Sequence, residues 1–298
     1  MRIFVTGATG FIGSAIVQEL VGAGHQVLGL ARSDAGAASL AAAGADVHRG
    51  SLEDLESLRS GAAGADGVIH TAFIHDFSDF AASVKADKLA IEAMTATLAG
   101  SGKPLLVTSG VLGLTSGRPG TEEDSPSSGF PRKSEEAGLA AAAQGVRAMV
   151  MRLSPSVHGD GDHGFVPTLI KLAREKGFAF YVGEGKNRWP AVHRLDTAKL
   201  YRLALERGTA GARFHGVADE GIPIREITEV IGRRLKVPAV SKTPEEAAEL
   251  LGFIGQVLAM DCTASNTLTR ERLGWHPTQP GLIRDLEHGR YFENGSAP

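Results

Sequence analysis

The sequence predicts an α/β fold, a doubly wound parallel sheet with a smaller C-terminal substrate lobe. Three observations carry that expectation. First, glycines at 7, 10 and 13 follow the apolar run Ile3 to Val5 and open a stretch whose apolar residues (Ile12, Ala15, Ile16, Leu20, Val21) have largely helical spacing. Second, strand-like apolar runs alternate with helical stretches as far as residue 153, the pattern of a parallel sheet covered on both faces. Third, 298 residues with 43% hydrophobic content can bury an ample core, and a net charge of −3 gives no reason to expect nucleic acid or an anionic membrane surface as partner. Cys262 is the only cysteine, so no internal disulfide and no thiolate metal cluster can form. With no apolar stretch of eighteen residues, and a strand directly after Met1 instead of a basic segment and signal core, the expected location is cytoplasmic.

Taken in order, the first turn carries the most chemistry. Gly7 permits a tight turn, Gly10 lets the backbone approach a diphosphate, and Gly13 lets the helix press on the strand, so that its first N–H groups face an anion. This is the context of a dinucleotide-binding, Rossmann-type turn, in which Thr9, Phe11 and Ile12 stand beside the glycines. The helix stops at Gly22-Ala-Gly24, and Gln26 to Ala31 forms a second strand ending in Arg32-Ser33. An acidic residue at this strand end binds ribose hydroxyls, whereas a basic one accommodates a 2′-phosphate. Ala31 fills the acidic place and Arg32 with Ser33 supplies a guanidinium fork and a hydroxyl, so NADP(H) is expected over NAD(H), with Asp34 the opposing signal. An alanine-rich helix and a short strand, Ala45 to Arg49, follow, and Ser51 is read as the cap of the next helix. Gly67 to His70 is a fourth strand, a helix from 77 to 98 comes next, and Pro104 to Ser109 is a fifth strand. Residues 114 to 130, rich in Gly, Ser, Pro and acid, read as a loop near a ligand. A helix from 132 to 143 leads to a sixth strand, 146 to 153, after which the alternation breaks down. The expected division is a nucleotide-binding domain of residues 1–153 with returning segments near 185–216, interleaved with a substrate-side lobe of 154–184 and 217–298.

The segments Thr6-Gly-Ala-Thr-Gly-Phe-Ile-Gly13 and Asp66-Gly-Val-Ile-His-Thr-Ala72 resemble the extended short-chain dehydrogenase/reductases, the NAD(P)-dependent epimerase/dehydratase superfamily. Arg152-Leu-Ser-Pro-Ser-Val-His-Gly159, Gly185 to His193 with Asp196, and Leu273-Gly-Trp275 with Pro277 continue the resemblance over nearly the whole chain. It implies a sheet of about seven strands, and cofactor contacts from Ser51, Leu52, Thr71, Ala72, Phe73, Thr108, Ser154 and Pro155 in addition to the first turn. It also implies a Ser or Thr after strand five, a Tyr-x-x-x-Lys on the next helix and an Asn on the helix before. Ser109 stands for the Ser and Asp87 occupies the Asn place. Matching Ser134-Glu135 to the usual Ser-Lys puts Pro131 where Tyr belongs and Glu135 where Lys belongs; the neighbouring register gives Phe130 and Ser134. Tyr181, Tyr201 and Tyr291 are the only tyrosines and none falls on this helix, so the chain resembles an atypical subgroup lacking the standard acid.

The remaining candidates follow from chemistry. Ser109 orients a substrate oxygen; Lys133, on a helix that starts late, and His158, whose pKa range suits proton transfer near neutrality, are the alternative proton donors. His75 and Asp76 are placed in the same cleft, and Tyr181 and Trp189 are candidate pocket walls, with core packing the favoured reading of both. The resemblance implies that His193 and Asp196 are structural, as parts of an element that fixes the lobe. The run His158-Gly-Asp-Gly-Asp-His163 is read as a turn needing local Asp bonds, with no metal. The expected function is an NADP(H)-dependent oxidoreductase acting on a small carbonyl, alcohol or imine. The alternatives are a non-catalytic NADP(H)-binding redox sensor and a sugar-nucleotide epimerase or dehydratase. The resemblance also implies a homodimer that packs helices 77–98 and 132–143 of each subunit into a four-helix bundle.

Overall fold

A computed structural model describes residues 1–75, 79–114, 117–126 and 132–293, so Asp76, Phe77, Phe130 and Pro131 of the sequence reading lie outside the described residues. The first half runs β1 (Arg2–Thr6), α1 (Phe11–Gly22), β2 (Gln26–Ala31), α2 (Asp34–Ala42), β3 (Asp46–Arg49), α3 (Leu55–Ala63), β4 (Gly67–His70), α4 (Phe80–Leu98), β5 (Pro104–Gly110), α5 (Ser134–Ala142) and β6 (Arg147–Leu153). The second half runs β7 (Ser156–His158), α6 (Phe165–Lys176), β8 (Ala179–Val182), β9 (Arg188–His193), α7 (Arg194–Arg207), β10 (Arg213–Gly216), β11 (Asp219–Pro223), α8 (Ile224–Leu235), β12 (Ala239–Lys242), α9 (Pro244–Leu251), α10 (Phe253–Leu258), α11 (Thr267–Leu273) and α12 (Leu282–His288).

The main sheet has seven parallel strands in the order β10-β6-β5-β4-β1-β2-β3. Ile3 and Val5 pack into one apolar cluster with α1 and α7, and Phe4 into another with α3, α4 and α5. Burial on both faces is why β1 reads as a continuous apolar run and not as an alternation. The strand order reverses direction between β4 and β1, which leaves a crevice at the carboxyl ends of these strands.

Helix starts depart from the expected positions for local reasons. Asp54, not Ser51, caps α3, its carboxylate accepting from Ser57 N at 3.0 Å; Ser51 Oγ instead accepts from Glu53 N at 3.3 Å. α4 begins at Phe80 because Asp79 Oδ1 accepts from Ala82 N at 3.0 Å. α5 begins at Ser134, and Arg132 turns inward instead of joining the helix.

The later half contributes to two places. α7 packs on α1 and β10 pairs with β6 in the main sheet, whereas β9 joins β7 and β11 in a three-stranded sheet, and β8 pairs with β12. His193 Nδ1 accepts from Leu195 N at 3.2 Å at the start of α7, and the Asp196 carboxylate accepts from Thr278 N and Gln279 N, each at 2.9 Å. Trp275 Nε1 donates to Asp196 O at 3.0 Å, so the C-terminal turn is tied to α7, the structural task expected of this pair. Among the described residues no helix is long and apolar enough to cross a membrane.

One buried histidine sets a pH dependence. His215 Nδ1 lies 2.8 Å from Ser265 O, which can only accept, and Nε2 lies 3.2 Å from Arg152 Nη1, which can only donate. The ring is therefore neutral with its proton on Nδ1. Burial is the main cause that lowers its pKa to about 4; Glu122 pulls upward and the Arg152 charge adds to the lowering. An unfolded histidine titrates near about 6.5, so between the two values the unfolded chain holds the proton and the folded chain does not. The stability contribution is complete above about 6.5 and is lost as pH falls toward 4. Melting temperature is expected to fall between pH 7 and pH 5, and the fall to be shallower in His215→Asn, whose side chain does not titrate; equal slopes in a thermal shift series would contradict this.

Candidate functional site

The carboxyl ends of β1, β4 and β5 bring the first turn, the segment after β4 and Ser109 to one edge. Gly7 has φ +69°, and a Cβ there would stand 2.7 Å from both Ala72 N and Thr71 Oγ1. Gly10 N donates to Gly7 O at 2.9 Å, and a Cβ on Gly13 would stand 1.9 Å from Gly7 O. α1 has no side-chain cap at its N-terminus, so the N–H groups of its first turn, from Phe11 and Ile12 onward, are free to meet a ligand anion. Thr71 Oγ1 donates to Thr6 O at 2.8 Å, which holds the Thr71-Ala72-Phe73 segment against the turn.

At the end of β2, Arg32 is exposed and makes no ion pair or hydrogen bond with a described residue. Ser33 Oγ accepts from Gly36 N at 3.1 Å and so caps α2. Asp34, the opposing signal in the sequence, is paired with Arg49 across the neighbouring strand end. The residues present therefore fit a dinucleotide: a cradle that a side chain would fill, an uncapped helix start, and an unengaged guanidinium at the adenosine end. Ser51 and Leu52, half-buried after β3, flank this region. Thr9 lies close to α2, its Cγ2 3.2 Å from where a Cβ on Gly36 would stand.

Below the cleft runs a hydrogen-bonded chain that the sequence did not reveal. Thr6 Oγ1 lies 2.7 Å from His70 Nδ1, and His70 Nε2 lies 3.1 Å from Asp87 Oδ1. Ser134 Oγ donates to Asp87 Oδ2, and Arg132 Nε donates to Ser134 Oγ at 2.7 Å. Burial pushes the Asp87 pKa up, but the bond and charge of His70, the Arg132 charge and the Ser134 bond outweigh it and hold the carboxyl below its ordinary value. Arg132 Nη2 donates to Thr108 O at 3.1 Å, and its guanidinium lies 4.3 Å over the Phe73 ring. Thr108 Oγ1 donates to His70 O at 2.7 Å and lies 2.6 Å from Tyr201 Oη. A tyrosine hydroxyl thus reaches the end of β5 from α7, not α5, and it is sealed; burial raises its pKa. His75 meets Phe73 edge-on, and its pKa is lowered first by burial and then by the Arg132 charge. Ser109 is 7% exposed; its hydroxyl bonds to no described residue yet is not sealed from solvent.

Other sequence candidates are placed elsewhere. His158 is 0% exposed, with Nδ1 2.8 Å from Asp285 Oδ2 and its ring edge-on to His193, so burial closes it to proton exchange with a substrate in the cleft. Lys133 sits at the start of α5 with its ammonium 3.6 Å from Glu136, on the solvent side. Glu135, in the Lys place of the resemblance, binds Arg152 and Arg213 on β6 and β10. Trp189 is 1% exposed in the core of the lobe, packed edge-on to Phe165 and donating to Met260 O, and therefore lines no cleft. Tyr181 is half-buried in β8 under Arg225, in the two-stranded sheet of the lobe. Ser154 Oγ donates to Gly216 O at 2.8 Å, and Pro155 follows half-buried. Cys262 is buried and burial pushes its thiol up to about 12, which leaves it inert. Among the described residues no group of three or more His, Cys, Asp or Glu side chains converges on a metal position.

Comparison with known proteins agrees with this geometry. A family model described as the NAD dependent epimerase/dehydratase family matches residues 3–216. An uncharacterized protein of Schizosaccharomyces pombe is 52% identical over 295 residues, covering 98% of this chain and all of its own length. A 4-hydroxy-2-methyl-3-oxo-4-farnesyl-3,4-dihydroquinoline-1-oxide ketoreductase of Stigmatella aurantiaca is 28% identical over 271 residues, covering 87% of this chain and 80% of its own. Among solved structures, a dTDP-glucose 4,6-dehydratase from Streptomyces venezuelae with NAD bound superposes with a TM-score of 0.79 at 20% identity, covering 98% of this chain and 97% of its own.

Proposed function

The chain belongs to the NAD dependent epimerase/dehydratase family, and from that premise we propose that it is an NADP(H)-dependent oxidoreductase that reduces a small carbonyl compound, with Ser109 holding the reacting oxygen. The observation that carries the reading is that the glycine turn after β1 and the Ser109 hydroxyl on β5, which bonds to no described residue, stand at the same edge of the sheet on either side of β4. The ketoreductase relative supports the reaction class, since its name describes reduction of a ketone.

In this reading the first turn of α1 seats the cofactor diphosphate, and Arg32 with Ser33 receives a 2′-phosphate. The nicotinamide, when bound, supplies a hydride. Ser109 donates a hydrogen bond to the carbonyl oxygen, which favours the negative charge that develops there, and its hydroxyl passes on the proton that completes the alcohol. In this reading the hydroxyl regains its proton from solvent. His158 and Lys133 take no part, the first because it is sealed and the second because it faces Glu136.

The test is a calorimetric titration of NADPH and NADH into wild type and Arg32→Ala, followed by NADPH oxidation with pooled ketones, aldehydes and imines. NADPH is expected to bind more tightly than NADH, and Arg32→Ala to weaken NADPH by about 10-fold or more while leaving NADH unchanged. Oxidation by one pool establishes the reductase. Tight NADPH binding without oxidation by any pool would replace this reading with a redox-sensing binder.

A further inference from the structure

We propose that Arg132 is the anion receptor of the cleft, and that the substrates are oxo acids whose carboxylate lies one or two bonds from the reacting carbonyl. This deepens the reductase reading and rests on it.

Three observations lead to it. The Arg132 side chain is half-buried, yet among the described residues no carboxylate forms an ion pair with it. Its own bonds go to neutral oxygens, Ser134 Oγ at 2.7 Å and Thr108 O at 3.1 Å, and its face lies 4.3 Å from the Phe73 ring. Among the described residues Asp87 is the acid whose charge acts on it, and it is reached through the Ser134 hydroxyl while its other oxygen is engaged by His70. A partly desolvated cation whose counter-charge is held one hydroxyl away keeps donors unmatched by any carboxylate oxygen, and a ligand anion would meet them directly.

Second, the contacts leave one edge of the guanidinium open. Nε and one Nη2 hydrogen are engaged, whereas Nη1 makes no hydrogen bond with a described residue. The remaining Nη1 and Nη2 hydrogens form the fork that meets a carboxylate with two parallel bonds. Phe73 on one face and the Ser134 and Thr108 bonds on one side fix the plane of that fork before any ligand arrives, so little ordering is needed on binding.

Third, the position sets the spacing. Arg132 is tied to the carbonyl of Thr108, the residue before Ser109, and successive Cα atoms are about 3.8 Å apart. A substrate whose carbonyl oxygen meets Ser109 therefore brings its α- or β-carboxylate, not a distant one, to the guanidinium. Burial, and then the Arg132 charge, lowers the pKa of His75 beside it, and Lys133 is turned to Glu136. Arg132 is thus the cation that a short oxo acid meets.

The experiment measures NADPH oxidation with matched pairs, pyruvate against methyl pyruvate and acetoacetate against methyl acetoacetate. Wild type, Arg132→Gln and Arg132→Lys are compared, and in parallel acetoacetate and pyruvate are titrated calorimetrically into the NADP⁺-saturated proteins. An acid is expected to exceed its ester by about 100-fold in kcat/KM, and Arg132→Gln to lose about that factor on the acid with little change on the ester. NADPH affinity should stay within about threefold in the variant, which separates this role from cofactor binding. Arg132→Lys keeps the charge without the fork and should retain an intermediate acid preference even if Arg132→Gln folds poorly. Esters turned over as well as acids, or equal losses on both in the variants, would overturn the proposal and leave the reductase reading standing. If none of the four is turned over, Arg132-dependent carboxylate binding supports the receptor and the pooled carbonyl assay decides the reductase reading, whereas absence of carboxylate binding overturns the receptor.

Discussion

Gly13→Ala is expected to weaken NADPH binding by about 100-fold or more, the largest effect of any single methyl group added to this chain. The added Cβ would stand 1.9 Å from Gly7 O, 2.7 Å from Gly7 C and 3.1 Å from Ala8 Cα. All three are backbone atoms, so no rotamer change relieves the overlap. Gly7 cannot retreat: its φ is +69°, its α-carbon already lies against the Thr71-Ala72 segment, and its carbonyl accepts the Gly10 N–H at 2.9 Å. Displacement therefore moves the turn itself, and with it the first N–H groups of α1. The control lies in the same helix. Gly22, at the far end of α1, has nothing within 4 Å of a built Cβ and no left-handed φ. Gly22→Ala should bind NADPH as wild type does and gain up to about 1 kcal/mol of stability. Calorimetric titration of both variants, with thermal melts beside it, checks the pair; normal NADPH binding by Gly13→Ala would mean that the turn is not the diphosphate seat.

The same turn shows why so much of the fold was legible. The signals for β1, α1 and β2 are local: apolar runs buried on both faces, glycines at fixed offsets, and a helix stop at Gly22-Ala-Gly24, so the boundaries Gln26–Ala31 and Gly67–His70 fall where the sequence places them. Helix starts were less legible because Ser51 and Asp54 are both good caps, and only the backbone path decides between them. The site was legible where it is backbone and illegible where it is charge. Nothing near His158 in the sequence announces Asp285, 127 residues away, and nothing near Glu135 announces Arg152 and Arg213. Arg132 and Lys133 are adjacent basic residues at a helix start, and nothing local in the sequence distinguishes the inward-turned one from the solvent-facing one. The signal available was the pairing of Phe73 after β4 with a cation before α5, which only the sheet order brings together.

Glu135→Ala is expected to destabilise the protein by about 3–5 kcal/mol, because it removes the one carboxylate that two guanidinium groups share. Arg152 is 0% exposed and gives Glu135 two bonds, Nε at 2.8 Å and Nη2 at 2.6 Å, and Arg213 Nε adds a third at 2.8 Å. The remaining Arg152 hydrogens go to Thr121 O at 3.3 Å, Asp124 O at 2.6 Å and His215. One buried cation thus joins α5, β6, β10 and the segment after β5, and Glu135 is the one described carboxylate bonded to it. Glu135→Lys, which inserts the residue that the dehydrogenase resemblance asks for at this place, should be worse than alanine, since three cations would then converge. Urea denaturation measures both. The decisive comparison is the double variant Glu135→Leu with Arg152→Met. If the pair is retained because each charge needs the other, removing both should recover much of the loss, as apolar side chains of similar volume replace a desolvated ion pair at little net cost. If the double variant is instead less stable than Glu135→Ala, the bonds from Arg152 to Thr121 O and Asp124 O carry the stability, and the guanidinium serves to hold the loop against the sheet whatever residue occupies position 135.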